Sequence, residues 1–508
     1  MSSKVLSAAV LGLDAELIEV EADIGGGDLG SISIVGLPDT AVSESRERVR
    51  SAIKNSGLFC PKVKITVNLA PANLRKHGPS YDLPIAVSIL IAAKRIKPIV
   101  DLNKVLFVGE LALSGELRPI NGILPIAITA RQERIKTLFV PYQNAQEAKL
   151  IADLEVFPVK NLLELAKHLE GKTKLISVPA LNFQFDYVST SLDMAYIKGQ
   201  EHAKRAMEIV AAGAHNILMS GPPGSGKTLL ARTTPSILPK LRLDESLEIT
   251  KIYSVAGELP HKKSLITTRP FRAPHHTASG VALVGGGAWP RPGEISLAHR
   301  GVLFLDEFAE FPRSILESLR QPLEDGVIHI SRAAGNLIFP AKFILIAATN
   351  PCPCGFLGDE QKPCTCTSVQ IANYRKKLSG PIVDRIDLHL EVPRIQFDKL
   401  TSKDTAESSK TIRERVEEAR IIQSKRFKST KFITNSEMDS RAVKCFCEID
   451  NTTTKLLKDA AERMRLSARS YFKVLKIART IADLEGSTKI LLNHVAEALQ
   501  YRPKEYLI

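Results

Sequence analysis

Residues 221–228 read GPPGSGKT, a full match to G-x-x-x-x-G-K-[ST], and no other stretch constrains the fold of this chain as tightly. Such a loop wraps phosphates with backbone N–H groups. Gly221, Gly224 and Gly226 keep side chains out of the way, with Pro222, Pro223 and Ser225 between them. The motif has meaning only between a strand and a helix, because the helix N-terminus turns its positive dipole end to the same anion. Here 215–220 is a short apolar run expected as a buried strand, and 229–238 continues as a helix until its prolines interfere. The expectation is a site for ATP in which Lys227 reaches the β and γ phosphates and the Thr228 hydroxyl ligates Mg²⁺.

Hydrolysis needs further parts. Segment 301–307, GVLFLDE, is expected as a buried strand ending in two acids, at the sheet edge where ligands gather. Asp306 would hold the metal through water, and Glu307 would orient and polarise the attacking water. A third apolar strand, 343–347, leads to Asn350, which would sense the γ-phosphate or position the water; the alternative is an ordinary strand-ending cap. Arg385, in SGPIVDRID, stands where an inter-subunit arginine finger is expected, since a fork of donors suits transition-state phosphate charge; the alternative is an ion pair with Asp384 or Asp387. Arg469 opens a C-terminal helix and is a candidate to reach back to the γ-phosphate, or else a surface arginine.

The flanks divide the chain. Residues 1–171 read as alternating strands (32–35, 63–67, 104–108, 137–140) and helices (42–56, 81–96). Residues 172–192 lack a clean period and read as a linker, 193–396 as the nucleotide-binding core, and 397–508 as a helical domain with helices at 405–427, 436–447, 451–466, 468–485 and 489–500. Within the core, 327–331 and 337–339 suggest a hairpin. The stretch 269–296 is rich in Gly, Pro and His. Its Arg272, His275, His276 and Trp289 could form a pore loop gripping nucleic acid by charge and stacking, or a folded cap with an inward Trp; Arg332 at the hairpin tip raises the same question.

The formal net charge is +14, and residues 401–508, with 22 Lys+Arg against 15 Asp+Glu, hold half of that excess. A solvated surface explains many basic proteins; a polyanionic partner, nucleic acid above all, is the functional reading. No run approaches the roughly 18–20 apolar residues of a membrane helix, and the N-terminus does not read as a signal peptide, so a cytoplasmic protein without a membrane partner is expected. Of seven cysteines, four form Cys352-x-Cys354-x9-Cys364-x-Cys366. Four thiolates could hold a structural Zn²⁺, or they are reduced thiols in a loop; an odd total argues against a disulfide framework.

Seven segments carry a family resemblance: GQEHAKRAMEIVAAGAHN, GPPGSGKT, FRAPHHTAS, GEISLAHRGVLFLDE, ATNPCPCG, SGPIVDRIDLH and ARSYFKVLKIARTIADL. Together they resemble the magnesium-chelatase-like branch of AAA+ ATPases, and more narrowly the ComM/YifB family, over nearly the whole chain. The resemblance implies an α/β AAA+ P-loop core, an N-terminal Lon-protease-like (ribosomal-S5-like) α+β domain and a C-terminal helical lid. It also implies a ring, hexameric, with ATP sites between subunits, and DNA, single-stranded or branched, moved as by a branch-migration helicase in recombination and natural transformation. A remodelling motor acting on a protein partner, as in magnesium chelatase, is the alternative; the Lon-like domain speaks against it, because the chelatase motor lacks one. Residues 76–82, KHGPSYD, align with the protease's serine loop, and 109–122 with its later segment. The protease needs a lysine to deprotonate the serine. Here the segment continues Ile123-Leu124-Pro125-Ile126, which leaves Ser80 without its base and implies a non-proteolytic assembly or DNA-contact module.

Overall fold

The computed structural model describes residues 2–25, 30–181, 183–187, 191–260, 263–287, 289–332, 335–378, 380–394 and 406–503. Its centre is a five-stranded, all-parallel sheet in the order Phe271–Arg272, Val302–Leu305, Ile344–Thr349, Ile217–Ser220, Leu388–Glu391. The three middle strands are buried along their whole length, as an apolar run without alternation demands when both faces are covered. The register places Ser220 beside Thr349 and Glu391, so three strand ends open on one edge. That edge carries the phosphate loop.

A second, mixed sheet of seven strands lies N-terminal to the first, in the order Ile32–Val35, Ile65–Ala70, Asp14–Ile24, Ser2–Leu11, Val105–Phe107, Thr137–Pro141, Glu155–Val159. Helices Thr40–Asn55, Asp82–Ala92 and Ile123–Gln132 cover it. The helices expected at 42–56 and 81–96 are present, the second ending earlier, where Lys94 takes a left-handed turn. The ten-pair hairpin of Ser2–Leu11 and Asp14–Ile24 had no counterpart among the expected strands.

The stretch 172–192 forms no strand or long helix among its described residues, yet it is not loose. Arg413 and Lys240 lie over the Tyr187 ring at 3.7 and 4.4 Å, and its hydroxyl meets Glu417 at 3.3 Å.

The C-terminal region is helical, with Ser409–Arg426, Ser440–Phe446, Asn451–Arg463, Ala468–Leu484 and Leu492–Gln500. Among the described residues, the helices of the expected lid pack behind the core. Arg420 and Gln423 donate to Ala211 and Ala212 carbonyls, at the end of helix Glu201–Gly213 that leads into the central strand. Lys473 donates to Asp384 and Ile386 carbonyls, ahead of strand Leu388–Glu391. All these tethers lie at the sheet edge opposite the loop. One apolar stripe explains the docking: Val474, Ile477, Ala478 and Ile481 of one helix and Ile412, Val416 and Ala419 of another close over Ala206, Met207 and Val210 in a single core.

Candidate active site

Strand Ile217–Ser220 delivers the chain into the loop, and helix Lys227–Thr233 receives it. The glycines answer two separate needs. A Cβ on Gly221 would lie 2.1 Å from the Val392 carbonyl oxygen, so this position demands space. Gly224 and Gly226 have φ of +77° and +92° with open room around them, so they demand backbone freedom.

Lys227 is buried, and burial lowers its pKa. Its ammonium donates to the Gly221 and Pro222 carbonyls at 2.6 and 3.0 Å and meets Asn350 Oδ1 at 3.4 Å. Thr228 Oγ1 donates to Asp306 Oδ2 at 2.8 Å. Three strands thus bring together Lys227, Thr228, Asp306 and Asn350, parts that the sequence places far apart. Glu307 follows with φ +50°, an uncommon left-handed conformation for a non-glycine residue. That turn lifts its carboxylate out of the strand line, where it meets His276 Nδ1 at 3.2 Å.

His276 is the residue that sequence reasoning misplaced. It sits in the Gly- and His-rich insertion but pairs with the second acid; only the motif FRAPHHTAS hinted at a fixed role. Two other insertion residues, Arg272 and Trp289, are held in folded contacts. Arg272 is locked to Glu294 through two bonds of 2.6 Å and to Glu258 at 3.2 Å. Trp289 stacks on His77 of the N-terminal domain, with ring centroids 4.5 Å apart. The hairpin forms as Val327–Arg332 and Gly335–Pro340; the Arg332 side chain lies outside the described residues.

Arg385 and Arg469 lie elsewhere. Arg385 Nε donates to Glu324 Oε2 at 3.0 Å and its Nη1 to the Pro381 carbonyl at 2.7 Å, while Arg469 takes the other oxygen of Glu324. Neither Asp384 nor Asp387 is the partner of Arg385; Asp387 faces Lys473 and His215 instead. The Arg–Glu–Arg group precedes strand Leu388–Glu391, at the edge away from the loop. One strand length, about 13 Å for four residues, separates the two edges. Arg469 therefore does not reach its own chain's phosphate loop, because the C-terminal helices dock behind the sheet.

The four cysteines converge. Sγ of Cys352 lies 3.4 Å from that of Cys354 and 3.7 Å from that of Cys364, and Cys354 lies 3.6 Å from Cys364. All four sulfurs, with Cys366, fall within 4.8 Å of one another.

In the N-terminal domain, Ser80 sits in the short turn Pro79–Tyr81. The nearby buried Lys76 gives its amine to the Pro71 carbonyl. The segment 123–126 opens helix Ile123–Gln132, and Ile123 and Leu124 are fully buried. This region docks on the core. The Gly122 N–H donates to the Ser254 carbonyl at 3.1 Å, and Ser254 Oγ donates to Glu147 Oε1 at 2.5 Å.

A phosphate loop on a parallel sheet, with an acid pair one strand over and an amide on the strand between, is the architecture of AAA+ ATPases. Comparison with known families narrows this. The family described as magnesium chelatase, subunit ChlI, matches residues 193–400, the description "Subunit ChlI of Mg-chelatase" matches 20–144, and the ChlI C-terminal family matches 406–502. The chain is 43% identical to competence protein ComM of Haemophilus influenzae over 507 residues, covering 98% of this chain and 97% of that one. It is also 43% identical to protein YifB of Escherichia coli over 514 residues, covering 100% and 98%. The chain belongs to the magnesium-chelatase ChlI-like family of AAA+ ATPases, with ComM and YifB as full-length relatives, and ATP hydrolysis follows from that membership. Lon protease 2 of Bacillus subtilis shares 28% identity over 165 residues, 29% of each chain, a likeness assigned to the N-terminal region. The match of 20–144 to a ChlI description weakens the expectation that such a domain sets the chain apart from a chelatase motor. No helix among the described residues is long and apolar enough to cross a membrane.

Proposed function

We propose that this chain is the subunit of a ring-shaped, ATP-driven DNA motor, a branch-migration helicase of recombination and natural transformation. The ring is hexameric and works in the cytoplasm. Residues 221–226 and Lys227 hold the phosphates, Thr228 and Asp306 hold Mg²⁺, Glu307 activates the water and Asn350 senses the γ-phosphate. Mg²⁺ held there would supply charge neutralisation to the transferring phosphate. The observation that carries the ring is the placement of Arg385 and Arg469 on the edge opposite the loop. A pair of guanidinium groups that cannot serve its own site, Arg469 half-exposed and Arg385 more covered, fits the phosphates of a neighbour's.

DNA as the substrate rests on the net charge of +14 and on the competence protein among the relatives. A remodelling motor for a protein partner is the second reading, favoured by the ChlI description that matches both ends of the chain. ATP hydrolysis measured with and without forked or four-way DNA separates them. The motor reading expects a faster rate or enhanced assembly with DNA; identical rate and assembly would remove it.

The arginines predict a subunit-mixing result. Arg385→Ala alone should lose about 10³-fold in turnover, the lower end of what an arginine finger supplies. Mixing it with Lys227→Ala chains should restore part of the rate, because each lacks what the other offers. Mixtures as inactive as either parent would show that Arg385 does not act across subunits.

A further inference from the structure

We infer that Cys352, Cys354, Cys364 and Cys366 bind one Zn²⁺ ion, and that this metal braces the phosphate loop. The second half rests on the nucleotide reading above; the first does not. A tetrahedral four-thiolate zinc site with Zn–S of about 2.3 Å has sulfur–sulfur edges of about 3.8 Å. The sulfur separations of 3.4, 3.6 and 3.7 Å match those edges. They are far beyond the roughly 2.05 Å of a disulfide, and all seven cysteines are free. The Cys354 N–H points at Cys366 Sγ at 3.4 Å, a backbone donor of the kind that steadies metal-bound thiolate. Four sulfurs fill the coordination sphere, which makes the site structural with no open position for chemistry.

The stretch from 351 to 367 has no helix or strand, and Cys352 is its one buried hydrophobic side chain. A loop without a core needs a staple, and four converging sulfurs supply one. What it staples is the nucleotide site. Only Pro351 separates Asn350 from Cys352. Gly355 closes the first pair with its N–H on the Cys352 carbonyl at 3.0 Å and φ of +85°. A Cβ there would lie 2.6 Å from Pro223 Cδ and 3.8 Å from Asn350 Cγ, so its backbone rests directly on the phosphate loop. Asp359 pairs with Arg394 at 3.2 Å, just past strand Leu388–Glu391. Helix Ser368–Lys377 starts two residues after Cys366, and its Lys377 reaches Glu310 at 3.1 Å, beyond Glu307. The metal-closed loop therefore touches the phosphate loop and the amide, and the helix that leaves it reaches the turn after the acids.

The test uses the full chain. Elemental analysis should find one zinc per chain, and cobalt exchange should give the visible absorption of a tetrahedral thiolate site. Cys364→Ser/Cys366→Ser should lose both, while Lys227→Ala should keep them. Binding of a fluorescent ATP analogue is then compared before chelation, after chelation with Mg²⁺ restored, and after zinc is returned. Tenfold or greater weakening, reversed by zinc and not by further Mg²⁺, is the expected result. Wild-type protein without zinc or cobalt absorption overturns the metal site. Zinc that can be removed with no change in nucleotide affinity overturns the brace. A wild-type chain that binds no nucleotide overturns the nucleotide reading and the brace with it, while its zinc content still decides the metal site.

Discussion

Lys227→Ala should weaken ATP binding by about 10²–10⁴-fold while the chain stays folded. The amine would make two charge-assisted hydrogen bonds to phosphate oxygens, each worth about 1.5–3 kcal/mol, and every 1.4 kcal/mol is tenfold in affinity. In the structure that amine bonds to the Gly221 and Pro222 carbonyls and to Asn350. Its burial disfavours the charge. Truncation removes a buried cation and leaves loop carbonyls at the sheet edge, so thermal unfolding should shift little. Titration with a fluorescent ATP analogue, beside a melting curve, checks both halves. Wild-type affinity in the alanine protein would dismiss Lys227 as the phosphate ligand.

Glu307→Gln should separate binding from turnover. A positioned general base contributes about 10²–10⁴-fold to rate, and glutamine keeps the size of glutamate but cannot take the proton. Its left-handed backbone costs the same for either residue, so the turn that presents the side chain survives. Nucleotide affinity should hold while kcat falls by that factor, measured as phosphate release at saturating ATP. A glutamine protein that hydrolyses at the wild-type rate would end the assignment. His276 would then be the group to examine, since it touches the same carboxylate.

The core sheet could be read because its strands announce themselves twice. Val302–Leu305 and Ile344–Thr349 are apolar on both faces, and each ends in the polar residues that the site uses. The first hairpin escaped because Ser2–Leu11 is rich in serine, alanine and leucine, with little β-branched character, so only pairing makes it a strand. Its partner did carry a signal: Ile18, Val20 and Ala22 face inward while Glu19, Glu21 and Asp23 alternate outward. The helices of the C-terminal domain were legible from period 3.6, but a period tells which face is buried and not against what. Their docking behind the sheet, and with it the meeting of Arg469 with Glu324 across 145 positions, is a tertiary outcome with no local trace. The thiol cluster was visible as spacing, yet its contact with Pro223 depends on Gly355, which no composition would single out.

The docking of 121–124 on helix Leu243–Ala256 bears on how the N-terminal domain is held. Ile123 and Leu124 are fully buried, and the Leu124 N–H is bound by Glu147, itself bonded to Ser254. A longer side chain at either position would have to displace the packing that joins this segment to helix Leu243–Ala256. The contacts that fill this segment therefore couple the N-terminal domain mechanically to the core helix.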